Sequence, residues 1–187
     1  MTLFGINRQQ QLVKAFAKHD AQAMDRLYAE YAGYLTGVCA RYIPNREDLH
    51  DVLQEAFIKI FTKISTFEYR GKGSLKAWLT RVVVNEALHF LRDRHTDLFV
   101  DTDNELPDVP ESPPPNDLTS DQLMQLIGQL PPGYRTVLNL FAIEGKSHNE
   151  IASILNIKPA TSASQYFKAK NMLAALAKQY INKENHP

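Results

Sequence analysis

A run of acidic residues and prolines divides this 187-residue chain into two parts. Residues 97–117 contain few apolar side chains, too few to form a core of their own. The acids and prolines of this run are Asp101, Asp103, Glu105, Asp108, Glu111, Pro107, Pro110, Pro113, Pro114 and Pro115. Because like charges repel and proline favours extended backbone, we predict an acidic linker over residues 96–117 that holds two domains apart.

Charge is unevenly distributed, although the chain as a whole has a net charge of zero. Residues 1–92 contain 13 basic and 9 acidic side chains, residues 93–118 contain 1 and 8, and residues 119–187 contain 7 and 4. Two mildly basic domains therefore flank the acidic linker. Zero net charge argues against a free-standing protein that binds nucleic acid through phosphate neutralisation alone.

The single cysteine, Cys39, cannot form an internal disulfide and has no neighbour at metal-ligand spacing, which favours a reducing compartment. No signal-like amino terminus and no apolar run near about 18 residues are present, so we expect a cytoplasmic protein without membrane insertion.

Glu86 and His89 form one Glu-x-x-His pair, but a di-iron bundle requires a second copy. Because no nucleophile–base set or phosphate loop occurs either, we predict no enzyme activity, metal or cofactor.

Residues 1–95 are predicted to form an all-α domain, because apolar residues recur at helical spacing without strand-like alternation. We expect helices over about residues 8–18, 21–42, 47–64 and 74–92, the last capped by Ser74. The third has the clearest apolar face, formed by Leu49, Val52, Leu53, Ala56, Phe57, Ile60, Phe61 and Ile64.

Residues 118–187 form the second predicted domain, with helices over about residues 119–128 and 134–144 and a helix pair after them. In that pair, Ser147 and Glu150 form a capping box, and Pro159 begins a final helix that runs to about Tyr180. Two short helices joined by a short turn are typical of a helix-turn-helix, with an unrelated helical hairpin as the alternative.

The polar side of the third helix is a candidate protein-binding surface. Its residues, which we name the acidic ridge, are Asp51, Gln54, Glu55 and Ile58. They are contiguous on the helix surface because they are three and four residues apart. A solvated face is the alternative interpretation, but a partner better explains an exposed isoleucine beside two acids.

Three further surfaces are candidates for nucleic-acid binding. The loop over residues 67–74 combines stacking rings, positive charge and two glycines, through residues such as Tyr69, Arg70 and Lys72. Arg81 and Asn85 share a stripe of the following helix. A flexible turn and an ordinary surface helix are the alternatives. In the last helix we expect an outward face suited to the major groove, formed by Ala160, Ser164, Gln165, Lys168 and Asn171, with weak DNA binding by this domain alone.

Motifs on both sides of the linker resemble the extracytoplasmic function family of bacterial sigma factors. Residues 51–57 (Asp-Val-Leu-Gln-Glu-Ala-Phe), 67–74 and 75–85 resemble region 2 of that family. Residues 130–135 (Leu-Pro-Pro-Gly-Tyr-Arg), 144–152 and 155–157 resemble its region 4. Two independent motifs in the right order are more specific than either one.

The resemblance implies a sigma factor that binds core RNA polymerase, directs it to promoter DNA and helps to open the duplex. It implies that the acidic ridge binds the clamp helices of the largest polymerase subunit, and that the acidic linker lies in the channel that RNA later occupies. It further implies an anti-sigma factor as a partner.

The resemblance also implies which residues contact promoter DNA. The 67–74 loop and the helix with Trp78, Arg81 and Asn85 correspond to the part that melts the minus-ten element and captures a flipped base. The last helix corresponds to the reader of the minus-thirty-five element, through Ser164, Gln165, Phe167 and Lys168.

The chain departs from the family pattern in its helix-turn-helix. The family usually has glycine where Asn156 and Ala160 stand, serine or proline at Lys158, and basic residues near Ala163 and Gln165. We expect Asn156 to adopt the left-handed conformation that glycine would provide.

Two rival functions are an autonomous helix-turn-helix regulator that binds its operator without polymerase, and an adaptor that imitates a sigma factor to hold an anti-sigma protein.

Overall fold

The computed structural model describes residues 3–18, 20, 22–94 and 118–185, and all regular structure in these ranges is helical. The helices are α1 (Leu3–Ala17), α2 (Ala23–Ala40), α3 (Arg46–Lys63), α4 (Ser74–Arg94), α5 (Ser120–Gly128), α6 (Pro132–Leu138), α7 (His148–Leu155) and α8 (Pro159–Asn185). The chain divides into two units, Met1–Phe90 and Leu91–Pro187. The all-α prediction is confirmed. The linker predicted over residues 96–117 lies outside the described residues, so the limits of the two predicted domains, 1–95 and 118–187, stay predictions.

The first unit is built on the apolar face of α3, which packs against α2. Asn45 caps α3, since its side-chain oxygen accepts hydrogen bonds from the backbone N–H groups of Glu47 (2.9 Å) and Asp48 (3.1 Å). A short 3₁₀ turn, Ile64–Thr66, follows α3 and packs against α1. The predicted core face is confirmed, because its buried members are Val52, Leu53, Ala56, Phe57, Ile60 and Ile64.

In the second unit, α8 packs against α5, α6 and α7. Its apolar cluster contains buried Ile127, Leu130, Leu138 and Ala169. Arg135 lies buried in this unit, and its Nη1 donates to the carbonyl oxygens of Gly128 (2.9 Å) and Leu130 (2.9 Å). These carbonyls belong to the last residue of α5 and to the turn that follows it. Because carbonyls at the end of a helix have no helical N–H partner, Arg135 supplies the missing donor. Burial lowers the pKa of Arg135 to about 10, which still leaves the guanidinium charged at neutral pH.

Three elements differ from the predicted helices. The first helix was expected over about residues 8–18, but α1 begins at Leu3. The helix expected over residues 134–144 is α6 followed by one π-helical turn, Asn139–Ile143, in which the Glu144 N–H donates to the Asn139 carbonyl over 2.9 Å. A π turn adds one residue and rotates the chain after it relative to α6. The final helix runs to Asn185, beyond the predicted end near Tyr180.

The buried thiol of Cys39 makes stability depend on pH. Burial raises the pKa of Cys39 to about 12 from 9.0, so the folded state favours the protonated thiol. The contribution of the protonated thiol to the free energy of unfolding is fully present below pH 9.0. It is lost as the pH rises towards 12, because the unfolded chain releases this proton first. From pH 8 to about pH 10.5, we expect wild type to lose about 2 kcal/mol more stability than Cys39→Ala.

Urea titrations of both proteins at the two pH values measure this difference. Because Tyr31, whose pKa burial also raises to about 12, is present in both proteins, its effect cancels. Equal losses in the two proteins would contradict the prediction.

Candidate functional site

The acidic ridge lies on the solvent side of α3. Asp51, Gln54 and Glu55 are exposed, and the Ile58 side chain is 51% exposed. The adjacent Lys59 turns away towards α4, where its Nζ donates to Glu86 Oε2 over 2.7 Å. The ridge therefore keeps its negative charge without this neighbouring lysine. The predicted surface position of the ridge is confirmed, whereas its binding role stays a prediction.

A cleft of about 470 Å³ lies beside the 67–74 loop. The side chains that line it are those of Thr66, Phe67, Glu68, Arg70, Ser74, Ala77, Trp78 and Arg81. The rings of Phe67 and Trp78 are 5.3 Å apart at 42°, and both are half-buried, so one wall is aromatic. Of the candidate minus-ten residues, the cleft brings together Arg70, Trp78 and Arg81; Tyr69, Lys72 and Asn85 are not among its lining residues.

Local hydrogen bonds fold the 67–74 loop. Ser74 Oγ donates to the Gly71 carbonyl over 2.7 Å and accepts from the Arg70 N–H over 3.2 Å. Gly71 and Gly73 have φ angles of 111° and 87°, a region that side chains disfavour. Helical bonding begins before Ser74, because the Ala77 N–H donates to the Gly73 carbonyl. The expectation that Ser74 caps α4 is therefore wrong, since its hydroxyl bonds within the loop.

Positive charge near the cleft is available to a ligand. Arg81 is exposed, and so is Asn85 one turn further along α4. Arg70 pairs with Glu68 over 3.2 Å, but the two side chains are 79% and 80% exposed. So exposed a pair contributes little to stability, and Arg70 can exchange Glu68 for a phosphate at small cost.

The second unit contains the predicted helix-turn-helix. Glu150 N–H donates to Ser147 Oγ over 3.3 Å, and Ser147 N–H donates to Glu150 Oε2 over 2.8 Å, which confirms the capping box. The bond from the Ser147 backbone is the main reason that the pKa of Glu150 is lowered. Asn156 ends α7 with φ 56° and ψ 47°, as expected for the left-handed conformation, and α8 begins at Pro159.

An aromatic cluster that the sequence analysis missed joins α7 and α8. His148 stacks on Phe141 with 4.4 Å between ring centroids, and Phe141 is also 4.4 Å from Tyr166. His148 Nδ1 lies 3.0 Å from Ser162 Oγ on α8. The cluster fixes the angle between the two helices. The cluster could have been inferred from the spacing of Ser162, Tyr166 and Ala169 in the sequence, because that spacing places all three on one helical face.

The prediction that Gln165 faces outward is wrong. Gln165 is 2% exposed and lies on the inner stripe with Ser162 and Ala169, which are both 0% exposed. Residues three and four apart share a helix face, and the Ser162–His148 contact fixes that face inward. On the other side, Ala160 is exposed, Ser164 and Lys168 are half-buried, and the Phe167 side chain is 54% exposed.

Within residues 3–94 and 118–185, apart from positions 19 and 21, every helix is too short or too polar to cross a bilayer. The same ranges contain no cluster of three His, Cys, Asp or Glu side chains that could hold a metal ion. Glu86, the acid of the Glu-x-x-His pair, is instead bonded to Lys59.

A helical unit with an aromatic cleft, together with a helix-turn-helix unit, defines a two-part helical DNA-binding protein. Family models agree unit by unit: Sigma-70 region 2 matches residues 27–96, and Sigma-70 region 4 matches residues 120–173.

Curated relatives extend the match over almost the whole chain. The ECF RNA polymerase sigma-E factor of Haemophilus influenzae is 31% identical over 179 residues, covering 88% of this chain and 92% of the relative. The RNA polymerase sigma-H factor of Pseudomonas aeruginosa is also 31% identical, covering 89% of this chain and 92% of the relative. The chain therefore belongs to the extracytoplasmic function (ECF) family of sigma-70-type RNA polymerase sigma factors.

Two solved structures are also similar. One is CnrH in complex with the cytosolic domain of CnrY, with a TM-score of 0.47, 21% identity and coverage of 90% of this chain and 96% of that chain. The other is the sigma factor RpoE with the anti-sigma factor NepR from Bartonella quintana, with a TM-score of 0.49, 22% identity and coverage of 84% and 98%.

The left-handed Asn156 predicts how the helix-turn-helix responds to substitution. Asn156→Gly should leave stability unchanged or slightly higher, whereas Asn156→Val should cost about 1–2 kcal/mol because a β-branched residue is strained there. Urea unfolding followed by circular dichroism measures the effect. The fluorescence of Trp78, the only tryptophan and part of the first unit, serves as an internal control and should change little. Equal stability of the Gly and Val variants would contradict the assignment.

Proposed function

We propose that this ECF sigma factor docks on core RNA polymerase through its acidic ridge and opens promoter DNA at the cleft beside the 67–74 loop. As a sigma factor, it binds core polymerase and directs promoter-specific initiation, and it is a regulatory rather than a catalytic component. The observation that best supports the residue assignments is the arrangement of the first unit. The ridge on α3 is separate from the aromatic cleft, so polymerase and DNA can be bound at the same time.

The chemistry of the ridge fits a basic helical partner. Two carboxylates and an amide surround an apolar contact point at Ile58, and Lys59 is withdrawn into its bond with Glu86. Complementary charge steers association and fixes the register of docking, while the buried apolar contact adds affinity.

The chemistry of the cleft fits a flipped nucleotide. Its volume of about 470 Å³ falls in the range of about 300–1,000 Å³ typical of small-ligand sites. Stacking of a base on an aromatic ring contributes about 1–3 kcal/mol, and Phe67 and Trp78 provide such rings. Arg70 and Arg81 flank the cleft and can bind the phosphates of the displaced strand, while Asn85 can reach a neighbouring base edge. Tyr69 and Lys72 lie in the same loop and add a further ring and a further positive charge.

The outer face of α8 is the proposed reader of the minus-thirty-five element. Ala160 and Phe167 offer apolar contacts to thymine methyl groups, and Ser164 and Lys168 offer polar ones. Gln165 is excluded from this proposal, since it packs inward. Binding by this unit alone is weak, and docking on polymerase overcomes that weakness by raising its effective concentration beside the DNA. Membership of the family supports an anti-sigma factor as a further partner.

Removing the ridge charges tests the docking assignment. We expect Asp51→Ala/Glu55→Ala to bind core polymerase at least about tenfold more weakly, because two charge-assisted contacts are lost. The double variant Asp25→Ala/Asp121→Ala removes the same charge from exposed positions off the ridge and should bind like wild type. Fluorescence anisotropy with labelled sigma factor measures both, and circular dichroism checks the fold. Unchanged affinity of the ridge variant would remove the assignment.

A pre-melted promoter separates DNA opening from docking. Arg81→Ala/Asn85→Ala should reduce permanganate reactivity of the minus-ten region about tenfold or more on duplex DNA, with core binding unchanged. A promoter with an artificial bubble should restore much of the transcription, because the unpairing step is bypassed. Lys63→Ala, which removes an exposed charge elsewhere on the first unit, is the matched control. The opposite result, equal loss on duplex and bubble templates, would assign these residues to another step. A shift of promoter DNA by the sigma factor without core enzyme would favour the autonomous regulator.

A further inference from the structure

The amino-terminal helix α1 contacts two places in the chain: the turn that leads into the 67–74 loop, and Gly73 near the end of that loop. It packs against the Ile64–Thr66 turn, which leads into the loop. At the far end, the backbone N–H of Gly73 donates to Gln9 Oε1 over 3.2 Å. Gln9 and Gly73 are 64 residues apart in the sequence, so this bond ties the loop to a distant part of the chain.

Contacts with α2 and α3 hold α1 in place. Leu12 and Phe16 are buried, and the Phe16 ring stacks on Phe61 of α3 with 6.4 Å between centroids. Arg8, one residue before Gln9, pairs with Glu30 of α2 over 3.3 Å. Gln9 therefore presents its amide oxygen from a fixed position rather than from a mobile end of the chain.

The loop has a particular need for such a contact. Gly71 and Gly73 both have positive φ, and glycine loses more conformational freedom on ordering than any other residue. Ordering backbone residues costs conformational entropy, and a loop that is already ordered does not incur that cost when it binds its ligand. The bonds of Ser74 to Arg70 and Gly71 are local, whereas Gln9 supplies a contact from outside the loop.

We propose that Gln9 is a positioning residue for promoter opening, which holds the 67–74 loop in the shape that receives the flipped base. This inference rests on the function proposed above for the cleft. Gln9 acts through the backbone of Gly73 and does not itself touch DNA. Because the donor is a backbone N–H, position 9 must provide an oxygen acceptor, and the proposal predicts which substitutions are tolerated.

Hydrogen exchange at the Gly73 amide tests the contact in the full-length protein without DNA. We expect Gln9→Ala and Gln9→Leu to speed exchange about threefold to tenfold, the effect of losing one ordinary hydrogen bond. Gln9→Glu keeps an acceptor oxygen and should retain most of the protection. Gln10→Ala, at the next position of α1, is the matched control and should exchange like wild type. Wild-type exchange in Gln9→Leu, or equal loss in Gln9→Leu and Gln9→Glu, would overturn the proposal.

Promoter opening by holoenzyme tests the consequence. We expect Gln9→Ala and Gln9→Leu to slow permanganate-detected opening about threefold to tenfold on duplex DNA, with unchanged affinity for core enzyme and unchanged thermal midpoint. A parallel fall in core affinity and thermal midpoint would show a purely structural role and overturn the proposal, as would opening at the wild-type rate. If wild-type holoenzyme opens no promoter, the proposed function fails instead, and the exchange experiment still decides whether Gln9 orders the loop.

Discussion

The packing of α3 against α2 fixes both faces of α3 at once. Val52, Leu53, Ala56, Phe57 and Ile60 can be buried only if the opposite stripe, with Asp51 and Glu55, points to solvent. Rotating α3 by one residue would carry carboxylates into an apolar interior, and an unpaired buried charge costs several kcal/mol. The hydrophobic core therefore determines where the acidic ridge can lie. The bond between Lys59 and Glu86 then links this helix to α4, so the helix that bears the acidic ridge and the helix that lines the cleft belong to one framework.

The second unit uses buried polar groups where the first uses apolar packing. Arg135, Thr136, Asn139, Ser162 and Gln165 are all buried, and Arg135 holds the end of α5 through two backbone carbonyls. Near α8, the cluster of Phe141, His148 and Tyr166 orients the helix-turn-helix. Hydrogen bonds are directional, so the two bonds of Arg135 and the contact between His148 and Ser162 specify orientation more sharply than apolar contacts of the same area. That property suits the proposal that the outer helix of this unit enters a DNA groove.

Sequence rules succeeded where structure is determined by near neighbours. The capping box of Ser147 and Glu150, the left-handed Asn156 and the start of α8 at Pro159 each depend on a few consecutive residues, and all are found. The apolar face of α3 was equally predictable, because eight residues repeat the same period. The family resemblance agrees with the family models, which match one region in each unit, and with the relatives.

Features that depend on distant residues were not predictable. Gln165 lies at the border of the inner stripe of α8, and its burial depends on how α8 packs against the other helices of the unit, including the contact between Ser162 and His148. Ser74 has the residue type of a cap, but the turn at Gly71 and Gly73 offers its hydroxyl better partners. The bond from Gly73 to Gln9 joins residues with no pattern in common, and no local rule connects them.

The state of Cys39 restricts the kinds of signal that this sigma factor can sense directly. It is the only thiol in the chain, it is fully buried, and its raised pKa keeps it protonated at neutral pH. Peroxides and electrophiles react with exposed thiolates, and a second cysteine is needed to resolve a sulfenic acid as an internal disulfide. The folded chain has neither an exposed thiolate nor a second cysteine. The folded chain therefore lacks the thiol chemistry by which proteins detect peroxides through their own cysteines.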